Sequence, residues 1–134
     1  MITPINDALY EVICGWWKAY GWPILPKEIL PKRGYVAFID EKPIIAGFIL
    51  KDMDIPFGVF AYPTANPDAS YEERTIGFSK LLDHVYEVSR EIGLRHLMVA
   101  ANNKSLCQRY LDNGFLQCDE NVIHFYKEII CPQP

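Results

Sequence analysis

Arg74-Thr75-Ile76-Gly77-Phe78-Ser79 stands at the head of the longest amphipathic pattern in the chain. From about 70 to 92, Phe78, Leu81, Leu82, Val85, Val88 and Ile92 recur on one helical face, and Gly93 ends the run. Residues 96–101 then read as a short buried strand, and 103–113 as a helix capped by Asn102 or Asn103 and stopped at Gly114. Two further runs, 115–118 and 122–127, read as a closing hairpin.

Working back from residue 74, segment 57–65 reads as a strand that Gly58 and Pro63 bend or bulge. Residues 35–39 and 44–50 are β-rich runs separated by Asp40-Glu41-Lys42-Pro43, a turn composition, and form an antiparallel hairpin. Segment 23–33 carries Pro23, Pro26 and Pro31 and reads as a rigid connection or one short helical turn. Leu9, Val12, Ile13, Trp16, Trp17 and Tyr20 recur at helical spacing before Gly21, which predicts a first helix. An opening strand is reduced to residues 1–4 or absent. Antiparallel strands followed by alternating helix and strand predict a mixed α/β sheet, mostly antiparallel, with helices on both faces.

The chain has 134 residues, half of them hydrophobic, which suits a single domain over 1–134 with a real core. A formal charge of −4 with scattered Lys and Arg gives no basic surface for a phosphate backbone, so nucleic acid is not an expected partner. No apolar run approaches the roughly 20 residues that span a bilayer. Cys14, Cys107, Cys118 and Cys131 show no Cys-x-x-Cys spacing and read as reduced thiols. With no basic-then-apolar leader at Met1, a cytoplasmic protein is expected. His84, His96 and His124 lack ligand spacing, so no metal is expected. Neither a Gly-x-Ser-x-Gly elbow nor a Walker loop is present.

The two segments around Gly77 and Tyr110, in this order with a strand between them, resemble the coenzyme A half of the GCN5-related N-acetyltransferase (GNAT) superfamily, whose first segment reads Arg/Gln-x-x-Gly-x-Gly/Ala. The element order is similar to that fold over nearly the whole chain. The Trp-Trp-x-x-x-Gly-Trp-Pro opening, Asn66-Pro67 and Gly114-Phe115 look similar to small stand-alone GNAT-like proteins of phages and prophages. The resemblance implies acetyl-CoA as co-substrate, with the backbone of Arg74, Thr75, Ile76, Gly77, Phe78 and Ser79 wrapping its pyrophosphate at a helix start. Ser79 stands where the family has Gly or Ala. The resemblance further implies that Thr64 and Ala65 on the bent strand lie by the thioester and pantetheine, that Asn103 lies by the pantetheine arm, and that the Tyr110 hydroxyl protonates the departing thiolate.

The same residues carry plainer readings. Ser70-Tyr71-Glu72-Glu73 is a capping box, which starts the helix earlier and spends the Gly77 N–H inside it. Gly77 then serves close packing, Arg74 is a surface side chain, Asn103 is an N-cap and Tyr110 a core aromatic. Only histidine titrates near neutrality unperturbed, which makes His124 the first choice for a base, with Asp52 and Asp54 as alternatives. Trp17 and Trp22 belong to an aromatic patch where acceptor-recognition elements lie in GNAT proteins, and a wide buried face explains them equally. Two functions follow. One is direct N-acetyltransfer to a small amine or protein amino group; the other is a catalytically inactive GNAT-like scaffold or protein-binding module. By resemblance, a homodimer is expected.

Overall fold

The computed structural model describes residues 1–101, 103–120, 125, 127 and 129. Its strands are β1 (Ile2–Pro4), β2 (Arg33–Ile39), β3 (Lys42–Lys51), β4 (Phe57–Ala65) and β5 (His96–Met98), side by side in chain order. The first four pair antiparallel, and β5 joins β4 in parallel. Helix α1 (Asp7–Tyr20) packs Ile13, Trp16 and Trp17 on Val36 and Ala46. On the opposite face, α2 (Tyr71–Glu91) sets Phe78, Leu81, Leu82 and Val85 on Ala37, Ile45, Ile49 and Phe60, and α3 (Lys104–Asp112) adds Tyr110. Alternation along β2 and β3 sends Val36 and Ala46 to one core and Ala37 and Ile45 to the other. The expected mixed sheet with helices on both faces is present.

Several boundaries differ from the sequence reading. Asp40 and Glu41 both adopt positive φ, 47° and 68°, which makes the β2–β3 link a tight two-residue turn and draws Lys42 and Pro43 into β3. Segment 23–33 contributes one short 3₁₀ turn, Lys27–Ile29. Strand β5 is three residues long and, among the described residues, pairs with Phe57, Gly58 and Val59 alone, so from Phe60 onward β4 has no β5 neighbour. Residues 115–118 belong to no strand among the described residues. The proposed partner, 122–127, falls largely outside the described residues. No helix among the described residues is long and apolar enough to cross a membrane.

Two irregularities shape the site. The β2–β3 register shifts between Ala37 and Phe38, which leaves Ile44 unpaired and turns both Ile44 and Ile45 toward α2. In β4, Tyr62 and Pro63 together oppose the single Gly47, and Tyr62 takes the left-handed region at φ 54°. Proline has no N–H for the ladder, so the bulge falls where β4 was expected to bend.

Candidate active site

The start of α2 is built from its own side chains. Ser70 Oγ accepts from the Glu73 N–H at 3.1 Å, and Glu73 Oε1 accepts from the Ser70 N–H at 2.9 Å. Lys42 Nζ donates to the same carboxylate oxygen at 3.0 Å and to the Asp68 carbonyl at 3.2 Å. The Ser70 backbone donor, then Lys42, holds the Glu73 carboxyl below its usual range. Asn66 closes the preceding loop by donating from Nδ2 to the Pro43 carbonyl and accepting the Asp68 N–H. The N–H groups of Tyr71 and Glu72 remain as the open helix end.

This geometry moves segment 74–79 away from the helix start. The Arg74 N–H already donates to the Ser70 carbonyl at 2.9 Å, and the N–H groups of Thr75 through Ser79 follow inside α2. The Arg74 guanidinium donates to the carbonyls of Asn66 and Pro67, both at 3.2 Å, and so braces the loop. Thr75 donates its hydroxyl to the Tyr71 carbonyl, Ile76 is half exposed, and Ser79 Oγ bonds Asn113 Oδ1 at 2.8 Å to tie α2 to α3. A Cβ on Gly77 would lie 2.8 Å from Ile44 Cγ2, so the glycine lets the helix reach the bulged pair Ile44-Ile45. An amide wrap at 74–79 is therefore absent, and close helix-on-sheet packing explains Gly77.

The second segment behaves differently. Asn103 is the N-cap of α3, its Oδ1 accepting from the Leu106 N–H at 2.8 Å. Two turns on, Tyr110 is 4% exposed, its ring edge-on to Phe78 at 5.2 Å and to Phe115 at 5.3 Å. Its hydroxyl is buried and has no hydrogen-bond partner among the described residues. Burial, with a smaller contribution from Cys107, pushes the hydroxyl far above its usual range, so it stays protonated through neutral pH.

Thr64 lies on the α1 side of the sheet, where Trp17 Nε1 donates to Thr64 Oγ1 at 2.9 Å and Thr64 donates to the Tyr62 carbonyl at 3.1 Å. Tyr20 donates its hydroxyl to the Ala65 carbonyl at 2.8 Å, and Trp22, half exposed, stacks on Tyr20 at 4.3 Å. The residues singled out from sequence thus divide by face: Thr64, Trp17 and Trp22 with α1, and Ala65, Gly77, Phe78, Ser79 and Tyr110 with α2, only the carbonyl of Ala65 being held from the α1 side. They come nearest to a common place where β4 runs on beyond β5, since Phe78 packs on both Tyr110 and Phe60 of β4. His124 lies outside the described residues. Asp52 Oδ1 accepts the N–H groups of Asp54 and Ile55 and so closes the β3–β4 turn. No cluster of His, Cys, Asp or Glu able to hold a metal occurs among the described residues.

Sequence reasoning passed over two residues. Tyr62 sits at the bulge with its ring 6.3 Å from Phe48, and its only local signal is the following proline. Lys42 supplies the cation at the α2 start, and a lone lysine in a strand carries no signal.

The architecture defines the class: the chain has the fold of the GNAT acetyltransferases. It matches an aminoglycoside N-acetyltransferase in complex with coenzyme A at 18% identity and TM-score 0.68, over 96% of this chain and 100% of that one. The ribosomal-protein-S18-alanine N-acetyltransferase from Escherichia coli matches at 15% identity and TM-score 0.66, over 89% and 79%. A transcriptional regulator from Bacillus halodurans matches at 14% identity and TM-score 0.71, over 94% and 99%. Identities of this size establish the fold alone, and the fold carries more than one function. No family model and no curated protein matches the sequence.

Proposed function

We propose that the protein is an acetyl-CoA-dependent N-acetyltransferase that passes the acetyl group directly to a small amine or a protein amino group. The observation that carries this reading is the Tyr110 hydroxyl, buried and unpartnered in a fold shared with acetyltransferases. An unsatisfied buried hydroxyl costs stability, so its retention asks for a partner that arrives with the ligand.

Acetyl-CoA supplies an activated thioester. The acceptor amine must be neutral to form the new C–N bond, and the C–S bond then breaks with the electron pair going to sulfur. Tyr110 gives its proton to that sulfur, the acylated nitrogen loses its surplus proton to solvent, and the Tyr110 phenolate regains one from solvent. A phenol of raised pKa is a weak donor, but the same dry surroundings raise the affinity of a thiolate for a proton, which restores the match. The stretch of β4 beyond β5, with Thr64 and Ala65, and the α3 N-cap Asn103 would flank the pantetheine. The anionic end would meet the N–H groups of Tyr71 and Glu72 and the Lys42 ammonium rather than the amides of 74–79, and the Glu73 carboxylate would yield its place there. A cytoplasmic setting and a homodimer belong to the same proposal; Cys14, Cys107 and Cys118 are free thiols, as a reducing compartment requires.

The test is thiol release from acetyl-CoA across a panel of amines and amino-terminal peptides. Activity in the parent with a loss of about 100-fold in Tyr110→Phe supports the reading. Equal activity in the two proteins removes Tyr110 from the chemistry. A second reading, a GNAT-like scaffold without catalysis, is favoured by the capping box, because Glu73 already holds the Ser70 N–H and the Lys42 ammonium at the helix end that a phosphate would use. That reading predicts no acetyl-CoA binding at millimolar concentration.

A further inference from the structure

Segment 23–32 crosses the α1 face as a strap. The Tyr10 hydroxyl donates to the Leu25 carbonyl at 2.6 Å, and Lys27 pairs with Asp7 at 2.8 Å while its ammonium sits 5.1 Å from the Tyr10 ring centre. Beneath the strap lies a cavity of about 220 Å³. Its floor is apolar, formed by Ile13, Trp17 and Phe48, all at most 3% exposed, and Leu30 closes it from the strap side. The cavity is neither a product of the coenzyme reading nor part of the Tyr110 cluster, which lies across the sheet.

The polar groups of its wall are nearly all engaged. Asn6 Oδ1 accepts the Leu9 N–H, the Tyr10 hydroxyl holds Leu25, and Asp7 and Lys27 neutralise each other. Lys32 is the exception: it lines the cavity and makes no ion pair or hydrogen bond among the described residues. The mouth therefore carries one ammonium without an ion pair above an apolar floor, with the Glu11 carboxylate acting on Lys27 at the opposite side. Size sets a second limit, since a dry cavity of about 150 Å³ lined by Leu, Ile and Phe accepts benzene. This cavity accommodates one ring with a short substituent and is smaller than a drug-sized site.

We infer that the space under the strap is a binding site for a small organic anion, a carboxylate carried on a single ring or a short apolar chain, with its charge at Lys32 and its body on Trp17 and Phe48. The site stands independently of the transferase reading. Its floor nevertheless touches the bent part of β4 twice, through the Trp17 to Thr64 hydrogen bond and through the Phe48 to Tyr62 ring contact. In a transferase, the non-reacting end of an acceptor bearing both an amine and a carboxylate would rest here.

The experiment is an NMR titration of the full chain with 3-phenylpropionate, and with 3-phenylpropylamine as the probe of equal size and opposite charge, following the Trp17 indole N–H. Expected is a saturable shift with the carboxylate bound about tenfold more tightly than the amine, the worth of one charge-assisted contact. Lys32→Glu, an exposed change that leaves the core intact, reverses that order. Leu30→Phe fills the cavity and abolishes the shift. No saturable shift at millimolar probe, or equal binding of the two probes, overturns the inference. Because binding is read without acetyl-CoA, a protein that binds the carboxylate but transfers nothing retains this site and loses only the transferase reading.

Discussion

The starts of α2 and α3 are both helix ends that the sequence offered as coenzyme contacts, and they differ in how their polar groups are satisfied. At α2 the chain supplies its own anion: Glu73 takes the Ser70 N–H and Lys42, and Arg74 turns back to the loop carbonyls. Along α3 the cap is made at Asn103, yet two turns later the Tyr110 hydroxyl is buried with no hydrogen-bond partner among the described residues. The α2 network, complete but for Arg74 Nε and the open N–H groups of Tyr71 and Glu72, is explained by stability. An unsatisfied buried hydroxyl works against stability; Ser89 Oγ on α2 is another, so at Tyr110 it is the fold shared with acetyltransferases that points the hydroxyl to chemistry.

The comparison breaks most visibly at Tyr110. Tyr110→Phe keeps the ring between Phe78 and Phe115 and removes the orphaned hydroxyl, so stability should hold or rise by about 1 kcal/mol while acetyl transfer falls about 100-fold. Denaturant unfolding beside thiol-release kinetics reads both. Loss of stability together with activity would show a structural hydroxyl instead. The raised Tyr110 pKa adds a pH signature. A proton held more tightly in the folded state contributes stability below the ordinary value of 10.0 and loses it as pH rises above that value. The parent should therefore weaken more steeply above pH 10 than Tyr110→Phe.

Gly77→Val comes next. The added carbons meet Ile44, and overpacking of a tight helix-on-sheet contact costs about 2–3 kcal/mol by urea denaturation. A stable variant that loses only acetyl-CoA affinity would return Gly77 to the phosphate site. Ser70→Ala removes one half of the capping box and should cost about 1 kcal/mol. The smallest effect is expected at Glu73→Gln. Because the Glu73 carboxyl is held below its ordinary 4.5, its contribution is present above that value and fades as pH falls below it. The glutamine variant should lose that acid-side slope and, with one negative charge removed from the helix end, bind acetyl-CoA more tightly in a calorimetric titration.

Much of this architecture was legible because its signals are local. The spacing of Ile13, Trp16 and Trp17, the glycine at 21 and the Ser70 to Glu73 pair each declare a helix or its end within a few residues. What escaped depends on neighbours far away in sequence. That Gly77 serves close packing was readable, but not its partners Ile44 and Ile45, which share a face only because the β2–β3 register slips beside them. At the site, the capping box and a core place for Tyr110 could be read directly, whereas the unpartnered state of its hydroxyl and the left-handed Tyr62 could not, since they arise from packing between helices and from a bulge across the sheet.

The most direct measurement is calorimetric titration of the parent protein with acetyl-CoA at neutral pH and low salt. Transferase function predicts saturable binding that survives Tyr110→Phe and tightens in Glu73→Gln. Heat indistinguishable from dilution at millimolar acetyl-CoA, in the parent and in Glu73→Gln alike, would contradict it and leave a GNAT fold whose helix end is sealed by its own carboxylate.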